Sequence, residues 1–382
     1  MEKANMLWQS ADLLLAKLSV KMATNLVTLR LPAVFLASIV LVWSTSCLPW
    51  VACLVTFAGK MTLAILVAAV VAVVFKKPLA RLLTPLDQRQ PISPRGKAVF
   101  ITGCDTGFGH DLAVRLRQYG FHVFAGCLLS ESEGSKELVK ENIQVLQCDV
   151  TKWEEVATCA DQVAQVMKDK NLSLWAVVNN AGVAVLSEFE WIPMKQYEQM
   201  LDVNSLGSVR VIKAFLPLLR KTPGRIIIMA SMSGRYAIPA FTGYSMSKHA
   251  QIALADGLRR ELKKFGIAVS VVEPGAYKTS LAGSSIAQLD QQFSSLSEAV
   301  HQSYGAAYHS AFKDHLSRLS DASDPNIHEP VDKMMEAITA QVPELRYVAG
   351  SPAALFRAAV MPLLPLFIQD KLLAKLSIPI PP

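Results

Sequence analysis

The sequence predicts an α/β fold: a doubly wound parallel sheet, preceded by an N-terminal transmembrane helical hairpin. Three observations predict it. Short apolar runs alternate with segments of helical period from residue 97 onward. The first run leads straight into a glycine cluster, Thr102-Gly103-Cys104-Asp105-Thr106-Gly107-Phe108-Gly109. Ahead of both lies a long stretch with almost no charge.

That stretch comes first in the chain. Residues 31–59 carry no charge, Lys60 interrupts, and residues 61–75 are uncharged again. A membrane span takes about 20 apolar residues. The stretch therefore suits two helices, near 31–50 and 51–75, with Pro49 at the reversal and Trp43 and Trp50 at an interface. Lys17, Lys21 and Arg30 precede the pair, and Lys76, Lys77 and Arg81 follow it. Bases on both flanks favour both ends in the cytosol. Lys60 inside one long span would reverse that orientation. Residues 1–30 form an amphipathic segment with several bases, but Glu2 and Asp12 weigh against an import sequence. Residues 76–96 read as a linker, broken by Pro85, Pro91 and Pro94.

The totals agree with membrane contact. Of 382 residues, 52% are hydrophobic and only 18% charged. The net charge of +7 comes with no nucleic-acid recognition motif, so basic flanks beside a membrane explain it better. Six cysteines are scattered (Cys47, Cys53, Cys104, Cys127, Cys148, Cys159), with no C-x-x-C pair and no metal-ligand spacing. Reduced thiols and no metal site are the expectation.

Residues 97–350 read as the catalytic domain. Residues 97–101 are a buried strand, and 111–119 have helical spacing with Leu112, Leu116 and Tyr119 on one stripe. Strand, glycine turn and helix together form a dinucleotide cradle of the Rossmann type. Glycines let the backbone approach a pyrophosphate, and the helix N-terminus adds N–H donors and the positive end of its dipole. Further strands follow at 122–128, 144–148, 174–179, 225–230 and 268–272. Asp149, Asn180, Ser231 and Pro274-Gly275 fall at or just beyond strand C-termini, where doubly wound sheets bind ligands. No Lys or Arg occurs between Arg117 and Lys136, while Glu131 and Glu133 do. A 2′-phosphate would meet acids there, which predicts NAD over NADP. Glu131 is either the ribose ligand or a solvated loop charge.

Tyr244 and Lys248 lie four apart, so on a helix they share one face. A free phenol has a pKa of about 10, and lowering it to about 7 takes roughly 4 kcal/mol. A cation at about 4 Å supplies that much at an effective dielectric of about 20. Lys248 beside Tyr244 is thus expected to make the phenol a general base for an alcohol losing hydride. Ser231, at the end of the fifth strand, is placed to orient the substrate oxygen. Asn204 is placed to hold a water relaying protons from Lys248. An exposed Tyr–Lys pair worth about 0.3 kcal/mol is the bland reading of that spacing alone. The joint occurrence with the glycine cradle argues against it.

These motifs resemble the short-chain dehydrogenase/reductase family, from about residue 97 to 346. The resemblance implies an Asn-Ser-Tyr-Lys tetrad carried by Asn204, Ser231, Tyr244 and Lys248. It implies cofactor contacts from Gly103, Asp105, Thr106, Gly107, Phe108, Gly109, Tyr244, Lys248, Pro274 and Gly275, with Lys248 holding the ribose. It also puts Asp149 and Asn180 near the adenosine half and Thr279 near the carboxamide. Phe124-Ala125-Gly126-Cys127-Leu128, Phe215-Leu216-Pro217-Leu218-Leu219-Arg220 and Val271-Val272-Glu273-Pro274-Gly275 are similar to one subfamily. It comprises 17-beta- and 11-beta-hydroxysteroid, retinol and D-beta-hydroxybutyrate dehydrogenases. The N-terminal hairpin is most similar to the steroid enzymes, the catalytic motifs at least as similar to the hydroxybutyrate enzyme. A steroid is the first expected substrate, retinol the second and hydroxybutyrate the third. The endoplasmic reticulum membrane is the expected location, with mitochondria as the alternative. The partners implied are a lipophilic alcohol and membrane lipid, and the family's dimers and tetramers make a homo-oligomer an expectation. A scaffold that keeps the fold without catalysis is the reading of another class.

Residues 280–330 are the expected substrate lid, with Tyr304, Tyr308, Phe312 and, as a carboxylate clamp for hydroxybutyrate, Lys313, His315 and Arg318. Residues 351–382 form an apolar tail. Its stretch 353–367 is short for a span and broken by Arg357, Pro362 and Pro365. It suits a membrane interface, a cover over the substrate entrance, or a buried helix.

Overall fold

A computed structural model describes residues 60–61 and 91–374. The expected hairpin lies outside the described residues except for Lys60 and Met61, which are helical. The amphipathic segment, most of the linker and residues 375–382 lie outside them too. Among the described residues no helix is long and apolar enough to cross a membrane.

Among the described residues a seven-stranded sheet runs in the order β3-β2-β1-β4-β5-β6-β7, with all pairs parallel. The strands are β1 Lys97–Thr102, β2 His122–Cys127, β3 Gln144–Gln147, β4 Ser173–Asn179, β5 Arg225–Met229, β6 Ala268–Pro274 and β7 Arg346–Ala349. Six match the expected runs. The seventh, β7, was not expected: four residues on the sheet edge, with two of them only half-buried, carry too little apolar signal to read. The order reverses between β1 and β4, and a crevice opens at the strand C-termini there.

Central strands are buried on both faces, which is why they read as unbroken apolar runs. Alternate residues feed two cores. Phe100, Val177, Ile226 and Ile228 pack on one side against α3 (Trp153–Asp169), α5 (Gly207–Leu219) and α6 (Thr242–Leu262). Val99, Ile101, Val178 and Ile227 pack on the other against α1 (Gly107–Tyr119) and α9 (His328–Thr339). Helices α2 (Glu133–Lys140) and α4 (Met194–Leu201) complete the layers. Phe215 is fully buried and stacks on Phe100, with ring centroids 4.1 Å apart. Phe215→Ala is expected to destabilise the fold by about 3–5 kcal/mol, because the cavity it leaves lies between sheet and helix and closes poorly. A fall in the denaturant midpoint at unchanged slope is the measurement that checks it.

Helix α1 starts at Gly107, inside the glycine cluster and four residues earlier than its apolar stripe implied. Residues 280–330, which follow Pro274-Gly275, hold α7 (Ser280–Ser294) and α8 (Glu298–Asp321). They close on Trp191 through Leu289, Tyr308, Phe312 and Leu316. Helix α8 bends at Gly305, whose φ of 76° falls in the region that glycine alone enters freely. The tail forms α10 (Pro352–Val360) and α11 (Leu366–Leu373). Ala354, Ala358 and Met361 are buried there, while Leu363, Leu366 and Phe367 stand 70–80% exposed.

Candidate active site

Two cavities adjoin one another across Tyr244. The larger, ≈ 1120 Å³, is the crevice at the sheet's switch point, lined by Gly103, Asp105, Thr106, Gly107, Asp149, Asn180 and Lys248 among others. The smaller, ≈ 340 Å³, is walled mainly by apolar groups such as Leu186, Met232, Ile238, Phe312 and Leu316. Tyr244 lines both, as do Phe108, Pro274 and Thr279.

The crevice floor is built for close backbone approach. A Cβ on Gly109 would sit 2.3 Å from the Gly103 carbonyl oxygen and 2.5 Å from Asn180 Nδ2. One on Gly103, at φ +69°, would sit 2.8 Å from Ala181 Cα. Asn180 donates from Nδ2 to the carbonyls of Thr102 and Gly103, both at 3.0 Å. Its side chain thus clamps the turn to β4. Asp105 accepts from the amides of Leu128 and Leu129, both at 2.9 Å, and ties the same turn to the end of β2. Cys104 points into the core, where burial pushes its thiol up. Burial also pushes the Asp149 carboxyl up, but hydrogen bonds from Thr151 and the nearby Lys152 outweigh that and leave it below the ordinary range. Glu131 is exposed and stands outside the crevice lining, so its loop-charge reading is the one the structure favours.

A dinucleotide fits this cradle. Gly103 and Gly109 pack the turn tightly against the protein, while at Gly107 a Cβ would meet nothing within 4 Å, so the N-terminus of α1 opens onto the crevice. No base stands among the lining residues at the glycine turn and β2 end, namely Gly103, Asp105, Thr106, Gly107 and Leu128.

Three elements bring the four predicted residues together: Tyr244 and Lys248 of α6 line the crevice, Ser231 lines the smaller cavity, and Asn204 is buried behind them. Asn204 lies in a π-helical turn, Asp202–Leu206, between α4 and α5. It is fully buried, accepts from Val183 N at 2.8 Å, and donates to Val183 O and Ser247 Oγ at 2.9 and 2.8 Å. That side chain braces the loop after β4 against α6. Its carbonyl accepts from Ser208 Oγ at 2.8 Å. Ser231 caps the short turn Met232–Gly234, accepting from Ser233 N at 3.1 Å. Its hydroxyl lies near enough to the Tyr244 phenol to pull its pKa down.

The Tyr–Lys coupling differs from the expectation. Lys248 Nζ lies 5.5 Å from the Tyr244 ring centroid and donates to Met229 O at 2.9 Å and Gln251 Oε1 at 2.8 Å. Burial pushes the phenol up to about 12, against a downward pull from Ser231. The same burial takes the Lys248 amine down to about 7. With the protein's own groups alone, desolvation outweighs the attraction between the pair, and the phenol stays protonated. The simple Coulomb sum omitted that cost. Gln251 and Ser208 were missed altogether. A polar residue one turn beyond Lys248 on a buried face was the signal available for Gln251.

The sequence from residue 97 to 290 matches the short chain dehydrogenase family model. The chain belongs to the short chain dehydrogenase family. Among relatives, estradiol 17-beta-dehydrogenase 2 of Mus musculus is 37% identical over 312 residues, covering 80% of this chain and 79% of the relative. Mitochondrial D-beta-hydroxybutyrate dehydrogenase of Bos taurus is 38% identical over 295 residues, covering 74% and 85%. Retinol dehydrogenase 7 of Mus musculus is 35% identical over 296 residues, covering 75% and 90%. The fold also matches solved structures: a short chain dehydrogenase/reductase of Burkholderia phymatum in complex with NAD has a TM-score of 0.59 at 20% identity, covering 75% of this chain and 99% of that one. One of Burkholderia cenocepacia in complex with NADP has a TM-score of 0.56 at 22% identity, covering 75% and 100%. As a member of this family the chain is an oxidoreductase acting on CH–OH groups.

Proposed function

We propose that this short chain dehydrogenase is membrane-anchored and transfers hydride between NAD(H) and a lipophilic secondary alcohol, a hydroxysteroid first and retinol second. One observation carries the reading: Tyr244 stands where the dinucleotide crevice adjoins an apolar cavity of ≈ 340 Å³. An alcohol carbon held at that junction lies between the hydride acceptor and the phenol. Bound NAD supplies the hydride acceptor. The chain supplies the rest. Gly103, Thr106, Gly107, Gly109 and the start of α1 cradle the pyrophosphate. Ser231 fixes the substrate oxygen. Tyr244 takes the hydroxyl proton in oxidation and returns it in reduction. Lys248, protonated, stabilises the phenolate. Pro274, Gly275 and Thr279 close the crevice on the nicotinamide side.

The absence of a base at the β2 end of the lining, with Asp105 standing there, supports NAD over NADP. The cavity wall supports the lipophilic substrate over hydroxybutyrate. Of the three expected clamp residues only His315 lines the cavity. Arg318 is exposed, and Lys313 pairs with Asp290 at 2.6 Å. Arg357, which also lines the cavity, comes from the tail, which with Leu373 covers part of its wall. Exposed Leu363, Leu366 and Phe367 on that tail support contact with lipid, alongside the apolar stretch at 31–75. We place the protein at the endoplasmic reticulum, the mitochondrion being the other site to examine by microscopy of a tagged chain.

Purified full-length protein assayed with estradiol, cortisol, retinol and hydroxybutyrate, each with NAD and NADP, tests the reading. A steroid with NAD is expected to give the highest kcat/KM. Turnover of hydroxybutyrate alone, or preference for NADP, would overturn it.

A further inference from the structure

Gln251 is fully buried in α6, three residues beyond Lys248. A buried amide costs free energy unless its donors and acceptor are met, so its position calls for a reason. Its bonds supply one. Gln251 Oε1 accepts from Lys248 Nζ at 2.8 Å, and Nε2 donates to Ser208 Oγ at 3.0 Å. Ser208 Oγ donates in turn to the Asn204 carbonyl at 2.8 Å. That last bond settles which way the amide points. The serine hydrogen is committed to Asn204, so Ser208 must accept from Gln251, and the amide oxygen must face the amine. The chain Lys248–Gln251–Ser208–Asn204 is continuous and made wholly of protein groups.

We infer that Gln251 is a positioning residue for Lys248: its amide oxygen anchors the ammonium at the crevice, and its amide nitrogen locks that anchor to the turn carrying Asn204. The inference rests on the dehydrogenase reading above, in which a charged Lys248 serves the phenol and the cofactor. Lys248 is only 3% exposed and is held by two neutral oxygens, those of Met229 and Gln251. Two of its three hydrogens are spent on them, leaving the third for the crevice it lines.

The surrounding ionisable groups leave this pair in control of the charge. On α6 itself the neighbour is Tyr244. From α4, Tyr197 gives its hydroxyl to Phe189 O at 3.0 Å. From the π-turn, Asp202 is paired with Arg210 at 2.7 Å. From β6, Glu273 is paired with Arg235 and Arg346. Helix α6 also carries Asp256, which is paired with Arg259 and Arg346. Burial brings the amine down to about 7, so the loss of one oxygen acceptor shifts its charge in the working range of pH.

The test needs no turnover. Full-length protein labelled with ¹³C at the lysine ε-carbon, with the Lys248 signal assigned through Lys248→Met, is titrated by NMR. In Gln251→Met, close to glutamine in size but without the acceptor, the Lys248 midpoint is expected to fall by about one pH unit. In Gln251→Glu it is expected to rise by at least as much, because a carboxylate replaces a neutral oxygen. An unchanged midpoint in Gln251→Met would overturn the inference, whatever happens to melting temperature. If that variant fails to fold, an unchanged midpoint in Gln251→Glu overturns it instead. Failure of the dehydrogenase reading shows separately, as a parent protein that oxidises no alcohol while its Lys248 still responds to Gln251.

Discussion

Tyr244→Phe is expected to lower alcohol oxidation by about 10³-fold, within the range general acid–base groups contribute, while NADH affinity stays nearly unchanged. The ring is kept, so both cavities keep their shared wall. Only the hydroxyl goes, and with it the group able to take the substrate proton. Stopped-flow turnover with the preferred steroid, set beside NADH fluorescence titration, separates the two effects. The parent's pH dependence follows from the same group. The protein alone holds the phenol up at about 12 by burial, so it is protonated at neutral pH. Oxidation needs the ionised form. Its kcat/KM should therefore rise with pH, about tenfold per unit until the phenol's pKa in the complex is reached. Reduction needs the protonated form and should lose rate as pH rises through that same value. Charged Lys248 and the bound oxidised nicotinamide both lower it, by favouring the phenolate. A flat oxidation profile in the parent, or full activity in the phenylalanine variant, would remove Tyr244 from the chemistry.

Gly109→Ala is the second large effect. Its methyl would be built 2.3 Å from Gly103 O and 2.5 Å from Asn180 Nδ2. Neither neighbour can withdraw cheaply. The first is backbone, and the second is clamped to Thr102 O and Gly103 O. The turn must open, which moves the N–H groups aimed at the pyrophosphate. Cofactor affinity is expected to fall at least about 100-fold, equal to two or more phosphate hydrogen bonds. Isothermal titration with NADH reads the loss directly, and an alanine variant that binds NADH like the parent would show that the cradle does not hold the phosphates. Gly257→Ala serves as the control, since a Cβ there meets nothing within 4 Å.

Some features were legible because they depend on local period or a single backbone demand. The strands flanking the switch point are buried on both faces and so appear as apolar runs. Gly103 sits at φ +69° and packs on Ala181, and so the cluster stands out in sequence. Tyr244 and Lys248 are one turn apart on α6, so they share a face as expected. In residues 280–330 the aromatics Tyr308 and Phe312 could be named from the sequence, but their packing on Trp191 is seen only in the fold. By contrast, β7 joins β6 through long-range pairing that four residues do not announce.

What the chain alone determined is the family's chemistry: the strand–turn–helix cradle, the phenol–amine spacing and the alternation that winds the sheet. Each follows from rules acting over a few residues. What only the tertiary structure decided is how those groups are held. Asn204 reaches Ser247 across 43 positions, and Ser208 meets Gln251 across 43. Lys248 finds an oxygen of β5 rather than the phenol. Such partners share no period and no neighbourhood along the chain. Desolvation, which sets the charge of both Tyr244 and Lys248, exists only once the core has closed around them.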